Sequence, residues 1–105
     1  MTTSFIKVFG NTPTIKVLDT LLQSQNIFYD WSIAEICENS KVSLVTVNKI
    51  IEHLTKLGVV KNTRKVGKAE MFTLDDSNIM VQKIIELDKA ISKYFIEKEL
   101  RSSSN

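Results

Sequence analysis

The sequence is short of the residues that supply covalent and metal chemistry. It holds one cysteine, Cys37, and one histidine, His53. A lone cysteine excludes an internal disulfide and leaves no cysteine-based zinc site; Cys37 is expected to be a small buried residue, the usual fate of a free thiol. His53 has no ligand residue beside it, so neither a metal nor a cofactor is expected. Phosphate-cradling glycine loops, nucleophile elbows, a Cys–His pairing and a carboxylate pair in a cleft are all missing, which argues against an enzyme. Asp75-Asp76 reads instead as helix-start chemistry, favoured by the positive end of the helix dipole. No apolar run approaches the roughly 18 residues that a membrane span needs. Met1 to Lys7 lacks the order of a secretory signal, so a cytoplasmic location is expected. With one proline and three glycines, the chain should be mostly regular structure with few sharp turns.

What is present is ordinary in amount and unusual in placement. The 105 residues, 43% hydrophobic and 25% charged, suit one soluble domain. Net charge is only +2, but Lys41 to Lys68 contains seven basic residues and one acidic residue, Glu52, leaving −4 for the rest. Positive charge gathered into one segment makes a charged face, and such a face suits a polyanion.

Helix signals punctuate the chain. Thr12-Pro13 opens a helix expected to run to about Gln25, with Ile15, Leu18 and Leu21 or Leu22 at helical spacing. Before it, Phe5 to Asn11 form a short apolar arm, helical or extended. Ile27 to Trp31 is aromatic and β-branched, a brief strand or extended link. Ser32-Ile33-Ala34-Glu35 is a capping box opening a short helix with Ile33, Ile36 and Cys37 inward, and Asn39 to Val42 is expected to form a tight turn. Ser43 caps a helix over 44–57 that Gly58 ends. Its wheel puts Val47, Ile50, Ile51, Leu54 and Leu57 in the core, with His53 at the edge of that face. Val45, Asn48, Lys49, Glu52 and Lys56 point outward. Val59–Lys65 and Ala69–Leu74 read as strands of a hairpin turning at Val66-Gly67-Lys68. Asp75 to Asn78 cap a last helix from about Ile79 to Leu100, and Arg101 to Asn105 form a polar tail expected to be disordered.

A short capped helix, a tight turn and a second capped helix make a helix-turn-helix, and the hairpin that follows makes it a winged helix. The expected fold is mainly α with a small β-hairpin wing: a single domain over 1–100, with a winged-helix core at about 5–78 and a C-terminal helix at 79–100. The run from Ser43 to Val60 resembles the recognition-helix signature of MarR- and ArsR-type winged-helix regulators, a Ser/Thr-Val element, a spaced Leu, then Gly and two aliphatics. Lys61 to Leu74 resembles a wing with a basic tip, and the Phe9-Gly10-Asn11-Thr12-Pro13 arm and the last helix resemble small archaeal proteins of this kind.

The resemblance and the charge pattern imply binding to double-stranded DNA, with helix 44–57 in the major groove and the basic wing 61–70 on the backbone or minor groove, in the service of transcription. Asn48 suits a bidentate pair with adenine, and Lys49 a guanine or a phosphate. Val45 either meets a thymine methyl or packs on the preceding helix. Ser43 and Thr46 suit phosphates, as do Lys56, Arg64, Lys65 and Lys68. The last helix carries Met80, Ile84, Leu87, Ile91 and Tyr94 in one stripe, widened by Phe95, a face broader than a small monomer buries; a homodimer is the expected resolution. Winged helices also serve as protein adaptors, which is the alternative. The sequence carries no sign of a small-molecule effector.

Overall fold

A computed structural model of the chain describes residues 3–23 and 30–103. The apolar arm is helical. In α1, Ser4–Phe9, the N-cap Thr3 accepts a hydrogen bond from the backbone of Ile6, and Phe5 is buried. Helix α2, Pro13–Leu22, begins as its Thr-Pro signal dictates, with the Thr12 hydroxyl accepting from Ile15 N. The helix ends at Leu22 with Gln23 as its cap, short of the expected Gln25; Ser24 and Gln25, and Ile27 to Tyr29 of the expected strand, lie outside the described residues. The remaining end of that strand is β1, Trp31–Ser32.

The capping box forms in full at the start of α3, Ile33–Ser40: Glu35 N donates to Ser32 Oγ at 3.1 Å, and Ser32 N donates to Glu35 Oε1 at 2.9 Å. The turn comes later than its sequence suggests. Asn39 and Ser40 remain helical, Ser40 Oγ donates to Ile36 O at 2.6 Å, and the chain reverses at Lys41, φ 62°. Val42, 8% exposed, is buried in the turn. Helix α4, Leu44–Lys56, follows its Ser43 cap. Val47, Ile50, Ile51 and Leu54 are buried as the wheel requires, but Leu57 is 52% exposed and the His53 side chain is also exposed. Leu57 is the cap residue of α4, past the last turn that the core covers, and its side chain stays half in solvent. Cys37 is only partly buried, packed against the core.

Gly58 then breaks the helix at φ +76°, and its carbonyl accepts a hydrogen bond from Asn78 Nδ2 at 2.8 Å. A Cβ there would lie 3.3 Å from that same nitrogen. Gly58→Ala should therefore destabilise the protein by about 1–3 kcal/mol through backbone strain alone; a lower urea midpoint at unchanged m value is the expected reading.

Strands β2, Val60–Val66, and β3, Ala69–Leu74, form the hairpin, tighter than expected because Val66 pairs with Ala69 and only Gly67 and Lys68 turn. Gly67 supplies φ 62° at the first turn position. The sheet is antiparallel in the order β1-β3-β2, and its register slips between Asn62 and Arg64, leaving Thr63 as a bulge. Asp75 and Asn78 then start α5, Ile79–Ser103: Ser77 N and Oγ donate to Asp75 Oδ1, and Met80 N donates to Asn78 Oδ1 at 2.8 Å. The helix passes Leu100 and takes in Arg101 to Ser103, residues expected in a disordered tail.

One apolar cluster joins all these helices, with Val17, Leu21, Ile36, Val47 and Val81 at its centre. Asp19, 6% exposed, is a buried ionisable group of α2, and Thr3 Oγ1 donates to it at 2.8 Å. Burial raises its pKa above the ordinary 3.8, against the pull of hydrogen bonds from Thr3 and Gln23. Because the folded state then holds that proton more tightly, Asp19 costs stability as pH rises from 3.8 through its raised value.

Candidate nucleic-acid interface

Helices α3 and α4 with the turn at Lys41 to Ser43 form the helix-turn-helix, and β2 and β3 project beside it. Along α4 the side left free of the core carries Val45, 65% exposed, with Asn48, Lys49, Glu52 and Lys56 exposed beside it. Val45 is thus free of α3, and an exposed aliphatic at a helix start is the kind of group that meets a thymine methyl. The Ser43 hydroxyl accepts from Thr46 N at 3.4 Å and gives its only proton to Thr46 Oγ1 at 3.0 Å. The cap therefore occupies Ser43 and leaves the Thr46 proton available to an outside acceptor. Lys56 sits in the last turn of α4, tied to Glu52 at 3.1 Å.

Between α4 and the wing runs a trough of about 690 Å³. Ile33, Ala34, Ile51 and Phe72 supply its apolar lining, Asn48, Glu52 and Lys56 line it from α4, and Lys68 and Glu70 line it from the wing. The outward side of α4 and the tip of the wing thus open on one shared space.

The wing cations are not equivalent. Lys68 stands in the exposed turn, and Lys65 is exposed opposite Glu70, whose carboxylate accepts from Asn62 Nδ2 at 2.8 Å. Arg64, read from the sequence as a phosphate contact at the tip, lies inside β2 opposite Met71 and is already engaged. Its Nε and Nη2 donate to the two oxygens of Asp30 at 2.9 and 3.1 Å, and Thr63 Oγ1 donates to the same carboxylate at 2.6 Å. Arg64 first, and Thr63 after it, hold the Asp30 pKa at about 2, below its ordinary 3.8. The stability this clasp contributes is complete above pH 3.8 and is lost as pH falls through about 2. Asp30 is absent from any sequence reading of the site because it lies 34 residues from Arg64 and belongs to no local motif.

On α5 the structure divides the stripe expected at a dimer interface. Ile91 is buried at 9% exposure and Ile84 and Phe95 are partly buried on the chain's own core, where Lys7 Nζ stands 5.3 Å from the Phe95 ring centre. Met80, Leu87 and Tyr94, seven residues apart, are 49%, 45% and 57% exposed.

The architecture is a winged helix-turn-helix with a long C-terminal helix, and known structures share it. The homodimeric winged helix-turn-helix DNA-binding domain of a possible ArsR-family transcriptional regulator from Mycobacterium bovis is similar at 18% identity and TM-score 0.59, over 90% of this chain and 81% of that one. The DNA-binding TubR fragment from Clostridium botulinum is similar at 27% identity and TM-score 0.54, over 69% and 91%. Sso10a-2, a DNA-binding protein from Sulfolobus solfataricus, is similar at 12% identity and TM-score 0.53, over 85% and 90%. No protein-family model matches the chain, and no curated protein matches it in sequence.

Proposed function

We propose that this protein is a homodimeric regulator that binds double-stranded DNA, with the N-terminal half of α4 in the major groove and the wing on the backbone or in the minor groove. One observation carries the reading: Asn48 of α4 and Lys68 of the wing face a single trough. A helix and a basic loop opening on one space match a duplex that presents a groove and its flanking strand together. The solved structures of like fold are DNA-binding proteins, one of them homodimeric. Within the interface, Asn48 and Val45 read bases, Lys49 and Thr46 take bases or phosphates, and Lys65 and Lys68 hold the backbone.

Support for the dimer comes from α5. Its 25 residues span roughly 37 Å at about 1.5 Å each, in a molecule of 54 × 28 × 22 Å. Met80, Leu87 and Tyr94 run along it exposed, and a second copy placing the same stripe against them closes a twofold interface.

Fluorescence anisotropy with a random duplex across a salt series tests the assignment. With Lys49, Lys65 and Lys68 of both copies neutralising phosphates, log affinity should fall against log salt with a slope of about −5. A protein adaptor would show no such binding at low salt, and that result would sink the DNA reading.

A further inference from the structure

The clasp on the wing decides which of its cations count toward a nucleic acid. Asp30 immediately precedes β1 and Arg64 lies on β2, the two strands that flank β3. Their side chains therefore meet across the middle strand. The bulge at Thr63 permits it, since the extra residue shifts the register between Asn62 and Arg64 and brings the Thr63 hydroxyl onto the same carboxylate. Asp30 is nearly enclosed, its side chain 12% exposed, whereas that of Arg64 is 63% exposed. A carboxylate engages a guanidinium through two parallel N–H···O bonds, and a phosphodiester seeks the same fork with the same geometry.

We propose that Asp30 is an internal surrogate for phosphate: it occupies the Nε–Nη2 edge of Arg64 and withholds that cation from DNA, leaving Lys65 and Lys68 as the wing's working charges. The inference rests on the DNA-binding reading above. Its physical basis is the origin of the salt effect. The slope counts cations that displace condensed counterions from the duplex, and a guanidinium neutralised by its own carboxylate displaces none. The free outer edge of Arg64 does not change this, because a phosphate approaching it also approaches the negative charge of Asp30. The clasp also trades affinity for shape: it removes one cation from the interface and in return fixes the bulge from which the outer wing is aimed.

The test is a cycle of variants titrated with random duplex across salt concentrations. Lys65→Ala should lower the magnitude of the parent slope by about 0.9 for each phosphate no longer neutralised. Asp30→Asn should tighten binding and steepen the slope by about 0.9 for each Arg64 released. Asp30→Asn combined with Arg64→Ala should return the slope to the parent value, separating release of Arg64 from the mere removal of a negative charge. The proposal is overturned if the Asp30→Asn, Arg64→Ala double variant has a flatter slope than the parent, or if Asp30→Asn leaves the slope unaltered. Should Asp30→Asn fail to fold by circular dichroism, the nitrogen spectrum of the unaltered protein gives the answer: the Arg64 Nε–H signal should keep its position as duplex is added, and displacement on saturation would refute the clasp. Absence of any duplex binding by the parent would remove the function assignment instead; heparin then serves as the polyanion in the same spectrum, with the same two outcomes.

Discussion

Replacing Leu87 and Tyr94 together by glutamate should give a protein that sediments as a monomer, keeps its helical circular dichroism and binds its DNA site about 10²–10⁴-fold more weakly. On the proposed dimeric reading the effect is large, because two linked reading heads would engage their second half-site at high effective concentration. A monomer forfeits that gain although its own DNA face is unchanged. Two substitutions are needed. Leu87 and Tyr94 are already about half covered, at 45% and 57% exposure, so each has only about 1 kcal/mol of apolar burial left to give at an interface. The choice of positions matters as much. Ile84, Ile91 and Phe95 of the same helix pack on the chain's own core, so charging them would unfold the monomer and answer a different question. Truncating α5 after Asp88 would fail likewise by removing Ile91 and Phe95. Sedimentation with a thermal melt reads the result; a folded double variant that remains a dimer would take the Leu87–Tyr94 stripe out of the interface.

Asn48→Ala should cost about 1–3 kcal/mol on a selected operator, confined to one base position, and almost nothing on random duplex. Lys65→Ala and Lys68→Ala should instead weaken both DNAs alike and flatten the salt dependence. The contrast follows from reach. Asn48 lies exposed in the second turn of α4, where an amide can pair with an adenine edge, and no hydrogen bond within the described residues ties it down. Lys68 stands in the wing turn and Lys65 just before it on β2, where binding to the sugar-phosphate chain would carry no sequence information. Affinities for operator and random duplex across a salt series decide it. Equal weakening on both DNAs from Asn48→Ala would remove Asn48 as the reader.

The parts of this fold that are legible in the sequence are those fixed within four residues. Thr12 before Pro13, the Ser32–Glu35 box and Ser43 each announce a helix start, and each forms its cap. The buried face of α4 follows from spacing alone until the helix stops. Errors gather where one residue behaves against its type. Lys41 takes the left-handed conformation that usually signals Gly or Asn, so the turn after α3 falls later than the residue types imply. Leu57 continues the apolar pattern into a cap residue beyond the last turn that the core covers. The binding face is legible as a charged segment because its lysines are close in the chain. The partition of that charge is not: Asp30 and Arg64 find each other only after three strands have assembled. Nor does the width of the apolar stripe on α5 reveal which half the arm and core claim, since α1 shows its helical packing only in three dimensions.

The strand order has a consequence for how the protein behaves in a crowd. With β3 in the middle, β2 is an outer strand of seven residues whose unpaired backbone could template addition of a further strand from another molecule. Two features oppose that. Lys61 and Lys65 on this strand, with no acidic residue among its seven, repel a second copy brought edge to edge, and the bulge at Thr63 breaks the regular spacing that an incoming strand must match. The opposite edge, β1, is only two residues long and offers little to pair with. The wing can therefore extend beyond the core as an open ribbon without becoming a seed for aggregation.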